Sequence, residues 1–200
     1  MASLYSMGGF PLADCEEEVY QKGMRFSLYF LFSGLLLAPW LMAATKVTEP
    51  SAKVRKALKL APFYKKHVDV GGFSIVSSEK VSNYALLEAA YLINQMLEGR
   101  EDLLKAMAKN KVRFTVMAHN EYTTQIPEHS DLQPRLYWNK RARGLGATFE
   151  RPAVSCGEEN LLLYPKGPYS KENILIHEFA HAIHNMGLSK TDPTFDDRLE

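Results

Sequence analysis

His177 and His181 stand four residues apart, with Glu178 directly after the first, and no other residues of this chain imply chemistry so directly. On a helix, an i, i+4 pair shares one face, so both imidazoles can hold one metal ion. Glu178 lies about 100° round the helix from His177, too far to join that pair as a ligand but able to reach a water on the metal. Zinc lowers the pKa of such a water to roughly 7, and the carboxylate removes its proton as general base. The resulting hydroxide attacks a carbonyl that the metal polarises. This chemistry needs the order found here: ligand, base, two spacers, ligand. A purely structural zinc is the weaker reading, since a closed site has no need of Glu178.

The flanks of the motif decide between a metal site and two solvated histidines. Ile174, Leu175, Ile176, Phe179, Ala180, Ala182 and Ile183 make the helix apolar nearly all round. Such a helix is expected to be buried, and buried histidines and a glutamate need partners. His184 falls on the same stripe but roughly 10 Å along the axis from His177. No glycine or proline breaks the chain between His181 and His184, so His184 is read as structural support and not as a ligand. Gly187 occupies the position where a longer motif would place a third histidine. Glu200 follows His181 after eighteen intervening residues. A helical hairpin turning at Gly187 to Asp192 would bring it back level with the histidines. Glu121, Glu128, His129, Arg135, Tyr137, Arg143, Glu158 and Glu159 could line a cleft, although each is more simply a solvated or capping side chain. His119 and His129 lack metal spacing with each other.

Positioning this motif requires a scaffold, and the pattern of apolar residues outlines one. Gly71-Gly72 opens a strand over Phe73 to Val76. Ser77 or Ser78 is expected to cap a helix over Val81 to Leu97, with Leu86, Leu87, Ala90, Ile93, Met96 and Leu97 on its apolar side and Gly99 after it. A second helix spans Glu101 to Lys109, with Leu103, Leu104 and Met107 inward. Val112 to Met117 is β-branched and apolar, a strand. The polar stretch from His119 to Glu159 is too long for an inert loop, so parts of it must form short strands or line the site. Leu161 to Tyr164 reads as a strand stopped by Pro165, and as the edge of the cleft, where an extended substrate would add as a further strand. Ser170 is a plausible cap for a helix over Lys171 to Met186 that Gly187 closes. Thr191 or Asp192 would cap the next helix, with Pro193 at its first position.

Composition bounds the remainder. The 200 residues suit one domain with an appendage, and a formal net charge of +1 gives no reason to expect nucleic acid as a partner. The two cysteines, Cys15 and Cys156, exclude a disulfide scaffold; Cys156 is a buried thiol or pairs outside this chain. Phe26 to Ala44 runs nineteen positions without a charge, after Lys22 and Arg25. A signal peptide initiated at Met24 and a signal anchor from Met1 both fit this layout. Cleavage near Ala43 or Ala44 is favoured, because acidic residues precede the run, basic ones follow it, and Pro39 interrupts it. The expected organisation is a tail and signal or anchor over residues 1–44, a basic linker over 45–67 and a folded domain over 68–200. The product is then secreted, or membrane-tethered through residues 26–44.

Ser170 to Leu188, SKENILIHEFAHAIHNMGL, resembles the active-site helix of zincin metallopeptidases of the glutamate-ligand type, broadly the lethal-factor-like kind. The resemblance is strong over this helix and less specific over Gly71 to Met117. It implies an α+β fold with a small mixed sheet beside the active-site helix, Zn2+ as cofactor and a peptide or protein as substrate. His177 and His181 would be metal ligands, and Glu178 the catalytic base. In such enzymes the third ligand lies on a later helix, often within a Glu-x-x-Ala-Glu-like stretch, which this sequence lacks. The expectation is therefore that the third ligand is Glu200 or lies beyond it, in a domain incomplete at its C-terminus. The rival expectation is a non-catalytic secreted or membrane-tethered module derived from such an enzyme.

Overall fold

Alternation along three strands creates two unlike faces on one sheet, and that asymmetry places everything else. The computed structural model describes residues 45–165, 167–169, 171–189, 192, 194 and 195. The strands are β1 (Lys66–Val70), β2 (Phe73–Ser77), β3 (Arg113–Met117), β4 (Gly144–Leu145) and β5 (Ala153–Gly157), in the order β1-β2-β3-β5-β4. β2, β3 and β5 are parallel, while β1 and β4 run antiparallel at the two ends. Phe73 and Ile75, Phe114 and Val116, and Val154 and Cys156 join the main hydrophobic core on one face. Side chains alternate across a strand, so Arg113, Thr115 and Ser155 fall on the other face. There Tyr64 meets Thr115 at 3.4 Å, Arg113 pairs with Glu128, and His129 meets Ser155 at 3.1 Å.

The helices divide between these faces. α2 (Asn83–Met96) and α3 (Glu101–Lys109) connect β2 to β3 and bury Leu86, Ile93, Leu103 and Met107 in the main core. α3 matches its expected limits. The cap of α2 is Ser82, whose side chain accepts from Tyr84 N, and not Ser77 or Ser78; Ser77 is the last residue of β2. The segment read as a basic linker, residues 45–67, instead holds α1 (Ala52–Leu58) and the start of β1. Ser51 caps α1, Lys59 closes it in the left-handed region, and Val54 and Leu58 pack on Leu60, Tyr64 and Val76. Its lysines and Arg55 masked this amphipathic turn in the sequence. Phe26 to Ala44 lies outside the described residues, and among those no helix is long and apolar enough to cross a membrane.

The long polar stretch does form structure: two 3-10 turns (Thr123–Gln125 and Pro127–His129), α4 (Arg135–Arg141), β4 and β5. Leu161 to Tyr164 is not a strand. Residues Glu158–Leu161 form the short helix α5, and Leu163 is 83% exposed, so three consecutive leucines do not bury as a strand would. α6 spans Ile174–Ala182 and continues as a π-helical turn over Ile183–Leu188. Asn173 caps α6 by accepting from Ile176 N; the expected cap, Ser170, lies outside the described residues. The whole is an α+β arrangement of a five-stranded mixed sheet and six α-helices among the described residues.

Candidate active site

One side of α6 is core and the other is open. Leu175, Phe179 and Ala182 are fully buried, and Phe179 stacks edge-on against Phe73 at 5.6 Å and Phe114 at 6.2 Å. Truncating such a phenylalanine costs about 3–5 kcal/mol, so the helix is firmly seated. His177 and His181 project on the opposite, exposed side, with ring centroids 5.0 Å apart, and Glu178 is half-buried between the two sides. The expectation of buried histidines is corrected: Ile176 and Ala180 add apolar character to a face the sheet does not cover. The i, i+4 pairing itself stands as expected on one face.

The start of α6 is pinned from a distance. Asn160 on α5 accepts from Ile174 N at 2.7 Å and donates to Glu172 O at 2.8 Å and Tyr169 O at 3.1 Å. With Glu172 held there, its Oε1 lies 2.6 Å from His177 Nδ1. A neutral imidazole that donates from Nδ1 keeps its lone pair on Nε2, the state and orientation a metal ligand requires. No sequence reading singled out Glu172 or Asn160. Glu172 was visible five residues before His177, but Asn160 is distant in sequence and has no periodic signal.

β4 is laid directly on α6, and glycine makes this possible. A Cβ on Gly144 would stand 2.3 Å from Ile174 Cγ2 and 2.8 Å from Ser155 O, closer than any real Cβ is found. On Gly146 it would lie 3.4 Å from Glu178 Oε2 and 3.5 Å from His181 Cβ. The Gly146 backbone lies beside the Glu178 carboxylate and favours its charged form. Burial pushes the Glu178 carboxyl above the usual range, and Glu172 adds to this; His177, His181 and the Gly146 backbone oppose it. Glu178 also lines a pocket of about 500 Å³ whose other walls include Tyr137, Trp138, Arg141, Leu145 and Tyr169. The cleft edge is thus β4, not the Leu161 to Tyr164 segment.

β4 is itself anchored from beneath. Arg143, just before it, makes a two-pronged pair with Glu159 at 2.6 and 2.8 Å and donates to Ala118 O at 3.0 Å and to Glu121 O. Glu158 is equally occupied, accepting from Ser82 N at 2.7 Å and His119 N at 3.0 Å. These glutamates are braces for the loops and do not reach into the cleft. Cys156, paired with Gly144 in the sheet, is a buried free thiol whose pKa burial raises well above the ordinary value. His184 packs edge-on against Phe195 at 5.3 Å, in keeping with a structural role. The helical register does change between His181 and His184, where the π-helical turn begins, although no glycine or proline marks it.

As a metal site, His177 and His181 fit zinc in donor type, spacing and the orientation of His177. Among the described residues no group of three or more histidines, cysteines, aspartates or glutamates is placed to hold a metal. Glu200 lies outside them. Comparison with protein-family models, curated proteins and solved structures gave no match.

Proposed function

We propose that this chain is a zinc-dependent peptidase of zincin-like architecture, acting on peptide or protein substrates, with His177 and His181 as metal ligands and Glu178 as general base. The observation that carries the reading is the glycine-bearing edge strand β4 lying on the helix of His177, Glu178 and His181, beside an open pocket that Glu178 lines. In the ladder, Gly157 N donates to Arg143 O, so residue 143 faces β5 and the alternation turns the Gly144 backbone outward. An extended peptide can add to that edge through backbone hydrogen bonds. Its carbonyl carbon is then offered on the open side of α6.

His177 and His181 would hold the zinc, which when bound would supply Lewis acidity and lower the pKa of water to roughly 7. Glu178 accepts the proton of the attacking water and returns it to the departing amine. Its burial favours the neutral acid relative to an exposed carboxylate, which suits a group that must both take and give a proton. The glycine backbone of Gly146 lets β4 lie close against Glu178, while Glu172 holds the ring of His177. Residues 26–44 would deliver the domain outside the cytoplasm, as a cleaved signal or a tether, and nothing in the charge balance calls for nucleic acid.

Metal analysis and peptide hydrolysis of the purified chain test the reading together. Bound zinc is expected in the wild type and lost in His177→Ala. Glu178→Gln is expected to keep zinc and to lower hydrolysis by about 10²–10⁴-fold. Equal zinc in wild type and His177→Ala rules the site out; equal hydrolysis by Glu178→Gln rules the base out. The second reading, a non-catalytic module derived from a peptidase, is favoured by the lack of a three-donor group among the described residues. Zinc binding without cleavage across a broad peptide library selects it.

A further inference from the structure

The helix α4 carries Leu136, Tyr137 and Trp138 in succession, yet none of its seven residues is buried. Leu136 is 66% exposed and Tyr137 51%. A short helix that served the core would turn such side chains inward, and clustered exposed apolar groups mark binding surfaces. Tyr137 and Trp138 instead form one wall of the pocket of about 500 Å³ beside Glu178, with Tyr169 from the loop before α6 and Leu145 of β4 also lining it.

The wall is preorganised. Tyr137 and Trp138 meet edge-to-face, with centroids 5.5 Å apart and planes at 84°. Trp138 Nε1 donates to Gln133 O at 3.2 Å, and Tyr169 OH donates to Arg141 O at 2.9 Å. Asn139 Oδ1 accepts from Thr124 N at 3.0 Å, holding α4 to the turn behind it. With the indole N–H and one phenol tied to backbone, the ring faces form the apolar part of a lining that also carries polar groups such as Arg141 and Glu178. The pocket falls within the 300–1,000 Å³ range typical of small-ligand sites, ample for one large side chain. Arg141 also lines it, with its guanidinium carbon 5.9 Å from the Tyr137 ring centroid, and offsets the Glu178 carboxylate, so the lining charges do not single out a cationic occupant.

We infer that this pocket takes an aromatic side chain of the peptide substrate, next to the bond presented to Glu178, and that Tyr137 and Trp138 select for it. This rests on the peptidase reading. Ring-on-ring contacts add attraction beyond buried area and favour the offset and edge-on geometries this wall already shows. Because no residue of α4 is fully buried, its side chains can be changed with little loss of core contacts.

The test uses the zinc-loaded full chain and a peptide series differing at one residue beside the cleaved bond: Phe, Ala or Lys. kcat/KM is expected to be at least about 10-fold higher for Phe than for either Ala or Lys. Tyr137→Ala and Trp138→Ala should abolish that preference chiefly through KM, and Trp138→Phe should restore part of it. Cleavage with no preference for Phe, or a preference unchanged in both alanine variants, overturns the inference and leaves the peptidase reading intact. A binding readout independent of turnover uses Trp40→Phe, which makes Trp138 the sole indole. Its fluorescence should shift with a blocked Phe peptide and not with the Ala peptide. If the wild type cleaves nothing, the peptidase reading falls; the fluorescence shift then retains the aromatic pocket, and its absence overturns that too.

Discussion

At the scale of single residues, Glu172 is the contact that would orient His177 in the proposed zinc site. Partners of this kind typically change metal affinity by about 10–100-fold when removed. Glu172→Ala is therefore expected to weaken zinc binding by about that factor in a chelator competition, with the fold intact because the side chain is half-exposed. Unchanged affinity would show that the 2.6 Å contact to His177 does not set the ring. His177, Glu178 and His181 were legible in the sequence because their relation is local: four residues on a helix fix a face whatever the fold. Arg143 and Asn160 were not, since what they do depends on Glu159, Ile174 and Glu172 arriving from other elements.

At the scale of elements, the site depends on two surfaces touching, β4 and α6. Gly144 has no room for a methyl group, with Ile174 Cγ2 2.3 Å and Ser155 O 2.8 Å from where it would sit. Gly144→Ala is expected to destabilise the protein by about 1–3 kcal/mol in urea unfolding, as overpacking does. Adding Ile174→Ala should recover part of that loss, giving a coupling between sites that a local backbone effect would not produce. A double variant whose cost is the simple sum would place the strain elsewhere. The helices α2 and α3 and the strands β2 and β3 were legible because their apolar residues follow helical or alternating periods. The two-residue β4 has no period to read. The Gly144-Leu145-Gly146 triplet around it has the composition of a turn, while the leucines from Leu161 to Leu163 mimicked a buried strand. Periodicity likewise overstated the burial of α6, because an apolar residue such as Ile176 at 43% exposure reads the same in a core or on a binding face.

At the scale of the whole molecule, the sheet divides an apolar core from a polar layer, and the polar layer makes stability depend on pH. His129, 1% exposed, has one ring nitrogen, Nδ1, without a hydrogen-bond partner among the described residues. Burial lowers its pKa to about 4, against the opposing pull of Glu128. The unfolded chain, with a value near about 6.5, binds more protons between those limits. Stability from this residue is therefore complete above about pH 6.5 and is lost as the pH falls toward 4, by on the order of 3 kcal/mol. Urea unfolding at pH 7 and 4.5 should show a smaller drop for His129→Gln than for wild type; equal drops would assign the acid sensitivity to other groups.

The shortness of β4 has a consequence for self-assembly. Sheets with long bare edges recruit further copies of themselves, and folded proteins avoid this by shortening or covering those edges. Here the β1 edge is bridged by Thr48, which exchanges backbone hydrogen bonds of 2.9 and 2.7 Å with His67. The other edge offers two residues, Gly144 and Leu145. Two residues of ladder are too few to hold a second sheet, so the molecule can leave a strand open to visitors without becoming a seed for fibres.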